Sequence, residues 1–143
     1  MGLTDYLTAS TAAFGRKAAD WEDAVRQAGA LLEQSEAIAP QYTQAMVDMV
    51  KQLGPYIVIM PGVAFAHARP DGSVFRNGIS LVTYPEGVAF GNEYNDPVYA
   101  LFAIAARTDE EHLILFRDLA RFLAEEKNIE RLKSAACFAE AGF

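Results

Sequence analysis

The chain has 143 residues, 52% of them hydrophobic and 22% charged, enough to bury one substantial core and too apolar for a disordered segment. Its 12 Lys plus Arg stand against 19 Asp plus Glu, a formal charge of -7, and a surface of that sign repels nucleic-acid phosphates. Apolar runs such as Tyr56 to Phe65, broken by Pro61 and Gly62, fall short of the roughly 20 residues a membrane helix needs.

Asp20 is a helix N-cap, and Trp21, Ala24, Val25, Ala28, Leu31 and Leu32 recur behind it at helical spacing. A second helix starts at Pro40, carries Tyr42, Ala45, Met46, Met49, Val50 and Leu53 on one face, and stops at Gly54-Pro55. Tyr56 to Met60 and Val63 to Ala66 then read as short strands parted by Pro61-Gly62. After the turn Pro70-Asp71-Gly72 come a buried strand over Gly78 to Tyr84 and a separate short one over Val88 to Phe90. The unbroken apolar run Val98 to Ala106 is best read as a central strand buried on both faces, although its alanines also fit a helix. Thr108 offers a capping box with Glu111, and the helix beyond aligns His112, Leu115, Phe116, Leu119, Phe122 and Leu123. A last helix around Ile129, Leu132 and Ala136 closes the chain. The order predicts a single α/β domain over residues 1–143, a mixed central β-sheet flanked by α-helices.

No basic start, apolar stretch and small-residue cleavage site mark export, and Tyr6 stands where a myristoylation motif needs Ser or Thr; a cytoplasmic location is expected. Cys137 is the lone cysteine, expected as an ordinary thiol on the last helix. Neither G-x-x-x-x-G-K-[ST] nor G-x-G-x-x-G nor G-x-S-x-G occurs, which argues against ATP as a phosphate source and against a serine hydrolase. Ser73, Ser80 and Thr83 read as turn or solvated hydroxyls. No cofactor is expected.

Chemistry falls on the two histidines. His67 follows an apolar strand where the chain leaves it for Arg69-Pro70, and an imidazole that is neutral near pH 7 and still nucleophilic suits phosphoryl acceptance; a merely hydrogen-bonded loop histidine fits the same residues. His112 lies on an apolar helix face, as a core histidine would, yet in the first turn, where the helix dipole favours its neutral form and an N–H aimed at an anion. The two histidines alone make a weak metal site, and none is expected.

The stretch Gly54-Pro55-Tyr56-Ile57-Val58-Ile59-Met60-Pro61-Gly62-Val63-Ala64-Phe65-Ala66-His67-Ala68-Arg69-Pro70 resembles the active-site segment of EIIA proteins of the mannitol/fructose class of phosphotransferase systems (PTS), most closely their ascorbate-type branch. Gly78 to Val82, Phe90-Gly91, Asn95-Asp96-Pro97-Val98, His112-Leu113, Asp20 to Ala24, and Tyr42 with Ala45-Met46 extend the likeness over nearly the whole chain. The resemblance implies a mannitol-type EIIA fold with helices on both sides of the sheet. It implies that His67 accepts phosphate from phospho-HPr and passes it to a cysteine of an EIIB protein, acting with a membrane EIIC carrier in carbohydrate uptake, ascorbate among the candidates. It further implies that His112 hydrogen-bonds the phosphorylated histidine. Ala66 replaces the family's usual proline, which would loosen the loop. The mannitol-type arginine upstream has no equivalent, Met49 and Lys51 standing in that region, so Arg69 is the candidate cation beside the phosphate. An apolar patch with Val63 and Phe65 is expected as the docking face. Rival readings are a regulatory EIIA, a binding module that keeps the fold without transfer, and a metal-dependent hydrolase built on both histidines.

Overall fold

The helix signals at Asp20 and Pro40 resolve into two 14-residue helices in a computed structural model that describes residues 2–143: α1 over Trp21–Gln34 and α2 over Pro40–Leu53. The Asp20 carboxylate accepts the Asp23 N–H at 2.8 Å, satisfying a first-turn donor. At the other end of α2, Gly54 takes a positive φ and donates its N–H to Val50.

The strands are β1 (Ala12–Ala13), β2 (Val58–Met60), β3 (Val63–Ala66), β4 (Gly78–Val88) and β5 (Val98–Ala105), in the order β1-β4-β5-β3-β2. The run expected to be central is central, and nearly every residue of β5 is buried. β3 pairs β5 in parallel, β4 pairs β5 antiparallel, and β1 adds a parallel edge. The sheet is therefore mixed, as anticipated. Tyr56 and Ile57 depart from expectation: Pro55, with its fixed φ, opens a 3-10 turn over Pro55–Ile57 before β2 begins. The two strands expected over Gly78 to Phe90 are one, β4, whose register against β5 shifts between Thr83 and Val88; Pro85, Glu86 and Gly87 occupy a bulge rather than a turn.

Beyond β5 come α3 (Asp109–Leu123) and α4 (Glu126–Ser134). Thr108 Oγ1 accepts the Glu111 N–H at 3.1 Å, but the reciprocal half of the capping box is not formed. Ala136 lies past α4, where the chain turns extended at Ala135 and the Glu140 carboxylate caps the Ala136 N–H. Cys137 is exposed after the helix rather than on it, just before a 3-10 turn over Phe138–Glu140.

Alternation along the strands divides the core into two layers. Ala64, Ala66, Leu101 and Ala103 pack under α1 and α2, while Phe65, Phe102, Ile104 and Leu81 pack under α3 and α4. The helices thus cover both faces. α1 and α2 meet closely at Gly29, where an added Cβ would stand 2.4 Å from Thr43 Oγ1 and 2.6 Å from its Cγ2. That hydroxyl is itself held by Glu33 at 2.7 Å, so the β-branched side chain has little room to yield. Gly29→Ala should cost about 1–3 kcal/mol through overpacking, read by urea denaturation, and Thr43→Ala in the same chain should restore most of it. Equal stability of Gly29→Ala and wild type would refute this account of the contact.

The loop from β4 to β5 folds around the Asp96 carboxylate, which accepts the N–H groups of Phe90, Gly91 and Asn92 at 3.0, 2.7 and 3.1 Å. Asn95 donates its side-chain amide to the Val58 carbonyl at 3.0 Å, and Asn92 reaches the Pro55 carbonyl at 3.3 Å. The loop thereby fastens the segment that carries Tyr56.

Candidate active site

The period-2 alternation of β3 decides which way the first histidine faces. Val63 and Phe65 point toward α3, and Ala64 and Ala66 toward α1 and α2; His67, the next odd residue, leaves the strand end on the α3 side. There its ring centre lies 5.2 Å from that of His112, at 52°. Phe65 and Phe116 form an aromatic floor, edge to face at 4.9 Å, with Phe116 6.4 Å from His112. Tyr56 presents a ring edge-on to His67 at 6.4 Å.

One hydrogen bond sets the chemistry of His67. Its Nδ1 lies 3.1 Å from the Phe65 carbonyl oxygen. A carbonyl only accepts, so Nδ1 carries the proton and the neutral ring keeps its lone pair on Nε2. The ring is half-buried, leaving it open to a reagent from solvent.

His112 is half-buried in the first turns of α3, its own N–H bonded to the Thr108 carbonyl. Its Nε2 is buried without a hydrogen-bond partner among the described residues. Burial holds its pKa below the usual imidazole value, His67 lowers it further, and Asp109 works the other way. The helix N-terminus acts in the same sense as burial. A neutral imidazole so placed has an unmet donor or acceptor beside His67, which suits a group that arrives only when His67 is modified.

Arg69 is exposed and lines a cavity of about 270 Å³ on the α2 side with Met49, Asp48 and Asp71. Its neighbours there are carboxylates, and it forms no ion pair among the described residues. Lys51, upstream, is engaged with Glu22 of α1 at 3.4 Å. Ala66 does not loosen the approach to His67, because it is fully buried and paired with Ala103 in the β3–β5 ladder. Val63 and Phe65 cannot form a docking face: both are core residues with 1% and 0% exposure, because the face they share with His67 is covered by α3 along the body of the strand. Among the exposed apolar side chains, Tyr56 stands beside His67, and Leu113 and Ile114 come next along α3 from His112.

Tyr42 is the residue whose part the sequence did not disclose. It reads as one more apolar position of α2, yet its fully buried hydroxyl accepts the Ala68 N–H at 3.0 Å and lies 2.8 Å from the Ile104 carbonyl and 3.1 Å from that of Ala68. No cluster of three or more His, Cys, Asp or Glu side chains is placed to hold a metal ion among the described residues, and no helix there is long and apolar enough to cross a membrane.

Residues 5–141 match the model of the family described as "Phosphoenolpyruvate-dependent sugar phosphotransferase system, EIIA 2". The chain is 37% identical over 119 residues to the ascorbate-specific PTS system EIIA component of Escherichia coli, covering 82% of this chain and 77% of that protein. In three dimensions it superposes on the mannitol-specific cryptic phosphotransferase enzyme IIA CmtB of Escherichia coli with a TM-score of 0.87 at 32% identity, over 98% of this chain and 95% of that one. It matches the mannitol enzyme IIA of Escherichia coli, solved in complex with phosphorylated enzyme IIB, with a TM-score of 0.84 at 34% identity, over 93% and 92% of the two chains. By family match and by identity over most of its length, the chain belongs to the EIIA 2 family of the phosphoenolpyruvate-dependent sugar phosphotransferase system.

Proposed function

We propose that the whole chain acts as one cytoplasmic phosphocarrier domain that takes a phosphoryl group from phospho-HPr on His67 Nε2 and passes it to a cysteine of an EIIB protein. The observation that supports this reading is the Nδ1 contact to the Phe65 carbonyl, which puts the free lone pair on Nε2 of a ring packed beside that of His112. In the first step a P–N bond forms at His67 Nε2 as the P–N bond of the donor histidine breaks; in the second, that bond breaks as a P–S bond forms. In-line positioning and charge balance are all such transfers ask of the protein.

His112 donates to a phosphoryl oxygen from Nε2, the atom that lacks a partner among the described residues. Arg69, exposed and without an ion pair among the described residues, is the mobile counter-charge, drawn from its carboxylate neighbours by the stronger anion. Tyr56, Leu113 and Ile114 form the apolar rim on which partners dock. The names of the curated relatives favour ascorbate as the carbohydrate moved by the EIIC carrier that this protein feeds.

Intact-mass spectrometry at neutral to basic pH tests the proposal, after incubation with phosphoenolpyruvate, enzyme I and HPr. A gain of one phosphoryl group, lost on adding the EIIB protein, is expected. No gain with the cognate HPr would leave a binding module of the same fold.

A further inference from the structure

The register of β3 against β5 fixes where the next bond of their ladder belongs. The Gly62 carbonyl accepts the Ala100 N–H at 3.1 Å, and from there the even residues of β3 exchange bonds with the even residues of β5. After Ala66 the next rung would run directly from the Ala68 N–H to the Ile104 carbonyl. It does not: the Tyr42 hydroxyl stands between them, accepting from Ala68 at 3.0 Å and donating toward Ile104 at 2.8 Å. A side chain of α2, from the opposite face of the sheet, is thus spliced into the ladder one residue past His67. The phenol is wholly buried and its pKa is pushed up to about 12 by desolvation, so it stays a neutral hydroxyl able to accept and donate at once.

We infer that Tyr42 is a positioning residue for phosphoryl transfer, holding the strand end parted from β5 by one oxygen atom so that the His67 ring is directed across α3 with its Nε2 free. The inference rests on the proposed phosphocarrier reading. Among the described residues the His67 ring has a single hydrogen bond, to the carbonyl of Phe65 on its N-terminal side; the Tyr42 hydroxyl fixes the backbone on its C-terminal side. The backbone is held on both sides of the nucleophile while the ring turns only about its own χ angles.

Tyr42→Phe removes the oxygen and keeps the ring. The single-turnover rate of phosphorylation by phospho-HPr should fall about 10- to 100-fold, the cost of misplacing a reacting group by a fraction of an ångström to one ångström, with half-saturation by phospho-HPr little changed. The 15N shifts of the His67 ring should also move, because the geometry of its Nδ1–H bond changes. Val25→Ala, a cavity variant in the core beneath α1 and remote in sequence from the site, serves as the control for lost stability alone. It should retain wild-type rate and His67 shifts. If wild type is phosphorylated and Tyr42→Phe reacts at the same rate with unshifted His67 resonances, Tyr42 merely fills the core and the inference falls. Absence of phosphorylation in wild type overturns the phosphocarrier reading itself. Should Tyr42→Phe not fold, hydrogen exchange of the wild-type protein decides: the Ala68 amide must be protected as strongly as that of Phe65, and a fast-exchanging Ala68 amide overturns the inference.

Discussion

His67→Ala is expected to take up no phosphoryl group from phospho-HPr under conditions in which the wild type is fully converted, read by intact mass. The expectation follows from the shortage of alternatives. At His112 the nitrogen assigned to donate, Nε2, is buried and in that tautomer bears the proton rather than a lone pair; Cys137 is exposed but follows α4 in the chain, outside the strand end that carries His67. Loss of the imidazole should disturb the fold little, since its ring makes one hydrogen bond and is half exposed to water. Far-UV and near-UV circular dichroism of the variant should therefore match wild type, which separates lost chemistry from lost structure. A His67→Ala protein that still gains one phosphoryl group would remove the central residue from the proposal.

His112→Ala should slow single-turnover phosphorylation roughly 100-fold, the scale of one preorganised donor to a developing anion, while longer incubation still brings conversion on His67. An unchanged rate would show that His112 is only a core histidine. The same residue governs a pH effect whose sign can be worked through. An unfolded histidine titrates near 6.5, and burial holds the folded His112 below that. On acidification the unfolded chain takes up this proton first, so stability is full above about pH 6.5 and is lost as pH falls toward the folded value. Urea denaturation at pH 7.5 and 5.5 should show a larger loss for wild type than for His112→Ala. Parallel losses would contradict the shift.

Local chemistry explains what could be read from residues alone. Asp20, Pro40, Gly54 and Thr108 mark helix ends because each satisfies or dispenses with a backbone group within three or four residues. The unbroken apolarity of Val98 to Ala106 needs burial on all sides, which a central strand provides; its alanines would also suit a helix, and the structure makes it the central strand β5. What escaped was non-local. β1 is two alanines, Ala12 and Ala13, that become a strand only by lying along Leu81 and Val82 of β4. Pro85-Glu86-Gly87 has the composition of a turn, and only pairing with β5 on both sides of it reveals a bulge. At the site, the strand-end position of His67 was legible, as was the first-turn position of His112. The tautomer of His67 was not, because it depends on the turn that brings Nδ1 back over the Phe65 carbonyl. Nor was the part of Tyr42, whose contacts span 26 and 62 residues of sequence.

The parallel pairing of β3 with β5 has a consequence for synthesis of the protein. His67 leaves the ribosome long before Ile104 and His112, and until β5 is available β3 has no parallel neighbour, Tyr42 no carbonyl to hold, and the imidazole no wall to face. Contacts so distant in sequence form late, after nearer ones such as α1 with α2. A nascent or truncated chain that ends before β5 therefore carries His67 without the surroundings it has in the folded protein, and on the proposed reading it should draw no phosphate away from finished molecules.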